Sequence, residues 1–466
     1  METSNATEEK KISSKTKKIL LAILAVLCVI YVAGFIYFQN HFLFGTKMSD
    51  QNIGGKTIDQ VEALLSQSTN DYQLEITGRK NLKDAINGKD LDLQISLGDS
   101  IKNGMKDQNP FLWFIGAQGK NKELKADVTY DQTKLAKEIR QLDCFQKENV
   151  IAPENAKIIL KDGKYTVKKE IYGTTVNEEK LTKKVKESLA KIHTSLDLKE
   201  EKCYVDPTLL QDDDRFEKGM KQAEKLADVT ITYDFDYTTE KVDKSMIQKW
   251  IIFDKEQNAK LSYRRVLNYI ETLAKKYDTY STIRTVKDAA GNDHKIYFGS
   301  YGWKISQTKE AKALMKVIKA GKDVKREPIY MYKAVCRKKG NIDWDDTYAL
   351  VNIQSQSMVF IKDGKAVVSS SVVTGDVTKG HGTPTGAYAV MYKEWNQTLT
   401  GQGYASPVSY WMPFTTNTGF HDANWRSSFG GNIYKGNGSH GCVNMPSGNA
   451  AALYSVIEPG TPVFVY

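Results

Sequence analysis

Proline is scarce in this sequence, 10 in 466 residues, and glycine is no more than ordinary at 33, which excludes a fibrous or collagenous chain. Cysteine is scarcer still. Five thiols in a chain of this length, an odd number, do not make a small domain stapled by disulfides. A strong excess of either charge is also missing, since 66 Lys and Arg face 56 Asp and Glu for a net charge of +10. Hydrophobic residues at 41% and charged residues at 26% sit near globular averages, so wholesale disorder does not fit, and neither does a polytopic membrane protein. No nucleic-acid-binding motif occurs, and no nucleic acid is expected as a partner. At roughly 100–200 residues per domain, the length implies two to four domains.

One long apolar run is present. The twenty residues Ile19 to Phe38 contain no charge and no proline. As a helix they would span the hydrocarbon core of a bilayer, roughly 30 Å. Lys10, Lys11, Lys15, Lys17 and Lys18 precede the run, which places residues 1–18 in the cytoplasm and everything after Phe38 outside. A cleaved signal peptide fits less well. Its apolar core is usually about 7–15 residues and ends in a small-residue cleavage site, whereas Tyr31, Phe35, Tyr37 and Phe38 crowd this one. Cys28 falls in the span. A Cys144–Cys203 bridge remains open outside, but isolated thiols acting as small apolar residues are the favoured reading for Cys144, Cys203 and Cys336.

Composition changes near residue 340. The segment 341–466 carries 6 basic and 8 acidic residues, leaving 60 and 48 for the first 340. That later segment also holds 15 of the glycines and 6 of the prolines. The Lys-rich body looks duplicated. Val128-Thr129-Tyr130-Asp131 recurs as Ile231-Thr232-Tyr233-Asp234, an offset of 103 residues. Lys164-Tyr165-Thr166-Val167, Tyr172-Gly173 and a helical stretch from Glu178 to Ile192 recur as Lys295-Ile296-Tyr297-Phe298, Tyr301-Gly302 and Thr308 to Ile318, at 131 and 129. The unequal offsets imply an insertion in the second copy. The reading is two related α+β modules at 39–216 and 217–340, with interleaved Lys and Glu marking solvated helix faces. Their basic balance suits an anionic surface. After residue 340 the pattern is strands: Tyr348 to Ile353, Met358 to Ile361, Ala366 to Thr374 and Pro462 to Tyr466. Asp363-Gly364 is a hairpin turn, and a helix runs from an N-capping Ser447 to Ile457.

The chemistry-bearing residues concentrate there. His381-Gly382-Thr383-Pro384-Thr385-Gly386, then His421-Asp422, then Ser439-His440-Gly441-Cys442-Val443-Asn444 bring three of the six histidines near one cysteine. A nucleophilic cysteine must be reachable, partly ionised and close to a base. Gly441 lets a substrate carbonyl approach the backbone, and the N–H groups of His440, Gly441 and Cys442 can converge on an oxyanion. By spacing either His421 or His440 can take the thiol proton. His421 is favoured, because the residue next to the cysteine-proximal glycine more often serves shape. Two other readings stand beside this one. Cys442 could be a small buried hydrophobe, and His421, His440 and Cys442 are competent zinc ligands. No C-x-x-C, H-E-x-x-H or H-x₃-H spacing supports a metal, and no cofactor is implied.

In this order the motifs make residues Asp343 to Tyr466 resemble the L,D-transpeptidase (YkuD-type) catalytic domain of bacterial cell-wall enzymes. The duplicated modules and single anchor resemble the Gram-positive, β-lactam-bypass members. The resemblance implies a mostly-β catalytic domain at 341–466, a mixed β-sandwich with one or two helices, following the anchor at 19–38 and the two α+β modules. It implies that Cys442 attacks the third residue of a peptidoglycan tetrapeptide stem, releases D-Ala and forms a thioester, which a neighbouring stem resolves as a 3→3 cross-link. His421 would be general base and acid, Ser439 would orient the imidazole through its hydroxyl or its carbonyl, and His440, Gly441 and Cys442 would supply oxyanion donors. It also implies acylation of Cys442 by carbapenems. Many members carry Arg where Asn444 stands, so Arg426 with Lys435 is the replacement expected to hold the donor's carboxylate. Tyr404, Tyr410, Trp411, Phe414 and Trp425, in and just after the segment Leu399 to Asn424, would form an aromatic flap excluding water. Donor and acceptor stems, anionic wall polymers and the membrane are the expected partners. An L,D-carboxypeptidase and a non-catalytic wall-binding anchor are the alternative functions.

Overall fold

The computed structural model describes residues 14–48, 51–116, 124–401 and 403–466. Lys10 and Lys11, counted above as part of the cytoplasmic charge, lie outside the described residues. The apolar run forms part of one helix, Ser14–Tyr37, rich in Leu, Ile and Ala and free of proline. None of its residues is buried, and it is long and apolar enough to cross a membrane.

The chain, that helix included, divides into two compact units, Met1–Lys157 with Lys168–Gln211, and Ile158–Val167 with Asp212–Tyr466. In the first unit the strand Gln73–Thr77 runs antiparallel to Lys83–Asn87 and parallel to Ser195–Asp197. Leu74 and Ile76 alternate inward, as the two-residue period of a strand requires. Helix Glu178–Lys191, capped by Asn177, turns Leu181, Val185 and Leu189 to the same core at four-residue steps. Cys144 and Cys203 are unpaired thiols buried in that core, which matches the small-apolar reading.

The second unit opens with the same topology. Ile231–Asp234 is antiparallel to Thr239–Val242 and parallel to Val324–Arg326, and helix Gln307–Ala320 precedes the last strand. The two modules are therefore related, but one sequence pairing was misplaced. Residues Val128 to Asp131 belong to a hairpin, Gln94–Ser96 with Asp127–Thr129, that leads into helix Gln132–Gln141. Its topological counterpart is the hairpin Ile251–Phe253 with Ala259–Leu261, which leads into helix Tyr263–Tyr277. Ile231–Asp234 instead matches Gln73–Thr77. The offset of this strand becomes 158 residues against 129 for the later helix, so the extra residues lie in the first copy, between Ser96 and Asp127, rather than in the second.

The boundaries also differ from the sequence reading. The hairpin of Lys157–Lys161 and Lys164–Lys168 goes largely with the second unit, where the Tyr165 hydroxyl donates to the Gln248 carbonyl at 3.1 Å. Packing also joins the residues on either side of position 340. Arg284 and Asp343, both buried, form an ion pair at 2.6 Å, and the Thr279 hydroxyl donates to the same carboxylate at 2.6 Å.

From Tyr348 onward the fold is a β-sandwich. One sheet runs in the order Lys365–Ser371, Ser357–Lys362, Tyr348–Asn352, Pro462–Val465, Gly386–Ala389; the other in the order Glu394–Gly401, Tyr404–Pro413, Gly419–Asp422, Val443–Met445. Both mix parallel and antiparallel pairs. Val351, Phe360 and Val463 of the first meet Met412, Phe420 and Val443 of the second, and helix Ser447–Val456 adds Ala450 and Leu453. The outer face of the five-stranded sheet is covered by the second module, where Val286, Ile296 and Tyr301 pack on Leu350 and Phe464. Asp363 and Gly364 both take positive φ, 50° and 75°, as their hairpin turn requires. Pro446 rather than Ser447 caps the helix, and Ser447 is its first residue.

Candidate active site

Two adjacent strand ends bring the motif residues together. Gly419–Asp422 pairs in parallel with Val443–Met445, with Phe420 opposite Val443 and His421 opposite Asn444. Phe420 and Val443 face the core, so His421 and Asn444 take the other face. Continuing that register one step back sets Cys442 level with Gly419, on the face of His421 and one diagonal step from it.

His421 is buried at 4% exposure. Its Nδ1 lies 2.8 Å from the backbone carbonyl of Asp422. A carbonyl only accepts, so Nδ1 carries the proton and the neutral ring keeps its lone pair on Nε2. Burial holds the imidazole below its ordinary value; the Asp422 carbonyl opposes this, and the nearby Arg426 charge adds to it. The Asp422 carboxylate is also buried, with Oδ1 accepting from the N–H groups of Ser409 and Tyr410 at 2.8 and 2.9 Å. Cys442 is half-buried. Burial pushes its thiol up to about 11, with the Gly419 N–H opposing. The thiol donates to the Asn417 carbonyl at 3.7 Å. Burial thus favours a neutral thiol beside a neutral imidazole, whereas the sequence reading asked for a partly ionised sulfur.

Ser439 has a different position from the one expected. Its hydroxyl donates to the Cys442 carbonyl at 2.5 Å and accepts from the Gly441 N–H at 3.1 Å. Its carbonyl accepts from the Asp376 N–H at 2.9 Å. Both groups proposed for orienting His421 are thus engaged elsewhere, and the orienting acceptor is the Asp422 carbonyl. The Gly441 N–H is also committed, which leaves the N–H groups of His440 and Cys442 for an oxyanion. Gly441 has φ +125°, a conformation that side chains resist.

Two residues missed from sequence brace this loop. The Thr383 hydroxyl accepts from the Gly375 N–H at 2.9 Å and donates to the Gly441 carbonyl at 2.7 Å. Asp376 accepts from the N–H groups of Thr378 and Gly436, both at 3.0 Å, and pairs with Lys379; these contacts hold its carboxyl well below the usual range. Thr383 stood in the quoted His-Gly-Thr motif, whereas nothing in the sequence marked Asp376.

Arg426 does not present its fork to a carboxylate. Its terminal nitrogens donate to the carbonyls of Asn437 and Gly438 at 2.8 and 3.2 Å, tying down the segment before Ser439. Lys435 is exposed, with its ammonium over the ring of Tyr434. Asn444 is buried, and its Oδ1 has no hydrogen-bond partner among the described residues. The aromatic residues expected to form a flap fall into two groups. Tyr404 stacks on His440 with ring centres 4.4 Å apart, and His381 lies 4.9 Å beyond that imidazole. Trp425 is half-exposed with its ring centre 6.0 Å from that of His421. Trp411 and Phe414, by contrast, are buried packing residues. Among the described residues no group of three His, Cys, Asp or Glu could hold a metal ion.

Comparison with known proteins follows this geometry. Residues 346–465 match the family model of the L,D-transpeptidase catalytic domain, and residues 89–195 and 219–325 each match that of a peptidoglycan binding domain. The solved Ldtfm-avibactam carbamoyl enzyme is 33% identical over 54% of this chain and 98% of its own, with a TM-score of 0.44. The chain belongs to the L,D-transpeptidase family. A cysteine-to-serine mutant of the Enterococcus faecium L,D-transpeptidase is 32% identical over 53% of this chain and all of its own, with a TM-score of 0.44. The catalytic domain of the E. faecium L,D-transpeptidase acylated by ertapenem is 40% identical over 26% of this chain and 98% of its own, with a TM-score of 0.25. A search of curated proteins found no match. The paired matches at 89–195 and 219–325 are 130 residues apart, close to the 131 and 129 offsets of the later repeat pieces.

Proposed function

We propose that this transpeptidase forms 3→3 peptidoglycan cross-links through a Cys442 thioester. The observation that carries this reading is the neutral His421, its Nδ1 proton fixed by the Asp422 carbonyl, on the strand beside a half-buried thiol. When a tetrapeptide stem is seated, Nε2 of His421 takes the thiol proton as sulfur attacks the carbonyl of the third residue. The oxyanion is met by the N–H groups of His440 and Cys442. The bond to the terminal D-Ala breaks, and the imidazolium gives its proton to the leaving amine. The side-chain or cross-bridge amine of a second stem then attacks the thioester, giving a proton to His421, and an amide replaces the sulfur bond. The released thiolate regains that proton. Ser439, Thr383 and Arg426 act through the loop that carries Cys442, and Tyr404 and Trp425 line the approach.

The helix Ser14–Tyr37 is the proposed anchor, with the amino terminus in the cytoplasm and the catalytic domain at the wall. The two peptidoglycan-binding-type modules suit the same substrate, and their basic balance suits anionic wall polymers.

Incubation of the full chain with tetrapeptide-containing disaccharide tests the proposal by product mass. Cross-linked dimers that have lost one D-Ala support transfer, whereas tripeptide monomers alone would make the enzyme an L,D-carboxypeptidase. Cys442→Ala should abolish both products; residual cross-linking by that variant sinks the mechanism. The E. faecium catalytic domain acylated by ertapenem suggests a parallel readout, a carbapenem adduct mass that Cys442→Ala lacks.

A further inference from the structure

The anchor helix has a companion. Residues 110–115 read Pro-Phe-Leu-Trp-Phe-Ile, and four of their side chains stand in the open: Phe111 at 56%, Leu112 at 46%, Phe114 at 61% and Ile115 at 44%. A water-facing loop has no reason to display five large apolar residues in succession. This one lies against the helix Ser14–Tyr37, within the same compact unit. The Phe111 ring sits 4.4 Å from that of Phe35, and the Phe114 ring 6.0 Å from that of Tyr31. The Tyr31 hydroxyl donates to the Phe111 carbonyl at 3.0 Å, and the Trp113 indole N–H donates to the Tyr31 carbonyl at 3.0 Å. Gly34 is the notch that admits the indole, since a Cβ there would lie 2.2 Å from the Trp113 ring.

Depth follows from the helix rise. Phe35 and Tyr31 stand three and seven residues before Phe38, where the apolar run ends, which is about 5 and about 10 Å below its outer end. That is the boundary between acyl chains and headgroups, where aromatic residues collect.

We propose that residues 110–116 are a wedge that enters the outer leaflet beside the helix Ser14–Tyr37, giving the first module a second point of attachment to the lipid. This rests on reading that helix as a membrane anchor. The occupant of the apolar face is lipid rather than a protein, because the face continues the apolar surface of the helix and is tied to it by the Tyr31 hydroxyl and the Trp113 indole.

The test uses the full chain in liposomes whose acyl chains are brominated near the headgroup, with flotation to establish insertion. Tryptophan emission should be quenched, and Trp113→Phe should remove the contribution of one of the seven tryptophans from the quenched signal. Phe114→Trp, at a site already exposing an aromatic ring, should add a quenched emitter. A chain that floats but shows identical quenching in wild type, Trp113→Phe and Phe114→Trp overturns the wedge alone. A chain that does not float overturns the anchor and the wedge together.

Discussion

Burial favours the uncharged form of both Cys442 and His421, and under the proposed mechanism this sets a pH signature. His421 must be neutral to accept the Cys442 proton, and its pKa is pushed below the ordinary value of about 6.5. The base is lost only as pH falls through that lowered value. The profile of kcat/KM should therefore stay level from neutrality down past about pH 6.5 and decline on the acid side of it. An acid limb centred above pH 7 would mean that the imidazole is charged at rest. The motif residues were legible because their chemistry resides in side chains: His421, Gly441 and Cys442 are rare types in a fixed order. What orients the imidazole was not legible, because a backbone carbonyl is carried by every residue alike. The Thr383–Gly441 bond was hidden for another reason. It joins positions 58 residues apart, and only the closing of the sandwich brings them together.

At the scale of elements, the proposed mechanism makes a rim of the hairpin Glu394–Gly401 with Tyr404–Pro413, whose Tyr404 stacks on His440, and of the segment bearing Trp425, whose ring lies near His421. Truncating Trp425 to alanine removes a half-exposed ring near His421 and admits water to the thioester. The expected result is a few-fold rise in tripeptide relative to cross-linked dimer; an unchanged ratio by mass spectrometry would remove Trp425 from the rim. A second prediction concerns the join between module and sandwich. The Asp343 carboxylate is fully buried and accepts from Arg284 Nε at 2.9 Å, besides the contacts given above. Asp343→Ala strands a buried guanidinium and should cost about 3–5 kcal/mol in urea unfolding. Strand positions after residue 340 were readable from β-branched runs and the Asp-Gly turn. The repeat register was not. Alternating tetrapeptides such as Val128 to Asp131 and Ile231 to Asp234 look alike, yet Asp131 caps a helix and Asp234 ends a strand that turns back into another.

Charge governs the molecule as a whole. Residues 39–340 carry +10 and residues 341–466 carry −2, so any electrostatic attraction to wall polymer belongs to the modules. Retention of the full chain on purified, teichoic-acid-bearing wall should fall several-fold between about 0.05 and 0.5 M NaCl, as screening shortens the reach of exposed lysines. Salt-independent retention in a sedimentation assay would assign binding to uncharged contacts. The sequence separated a basic body from a glycine-rich end, but it could not show that the second module and the sandwich share one folded unit, since the Arg284–Asp343 pair and the Phe464 cluster join positions with no local signal.

A thiol near pKa 11 is ionised in about one molecule in ten thousand at neutral pH. Peroxide, disulfides and soft alkylating agents react with the anion, so they find almost none of it. An acyl donor seated in the cleft meets a different sulfur, one being deprotonated by the neighbouring ring as the bond forms. Under the proposed mechanism, keeping the nucleophile protonated until a donor is seated slows its reaction with oxidants while leaving acylation available, a form of chemical quiescence.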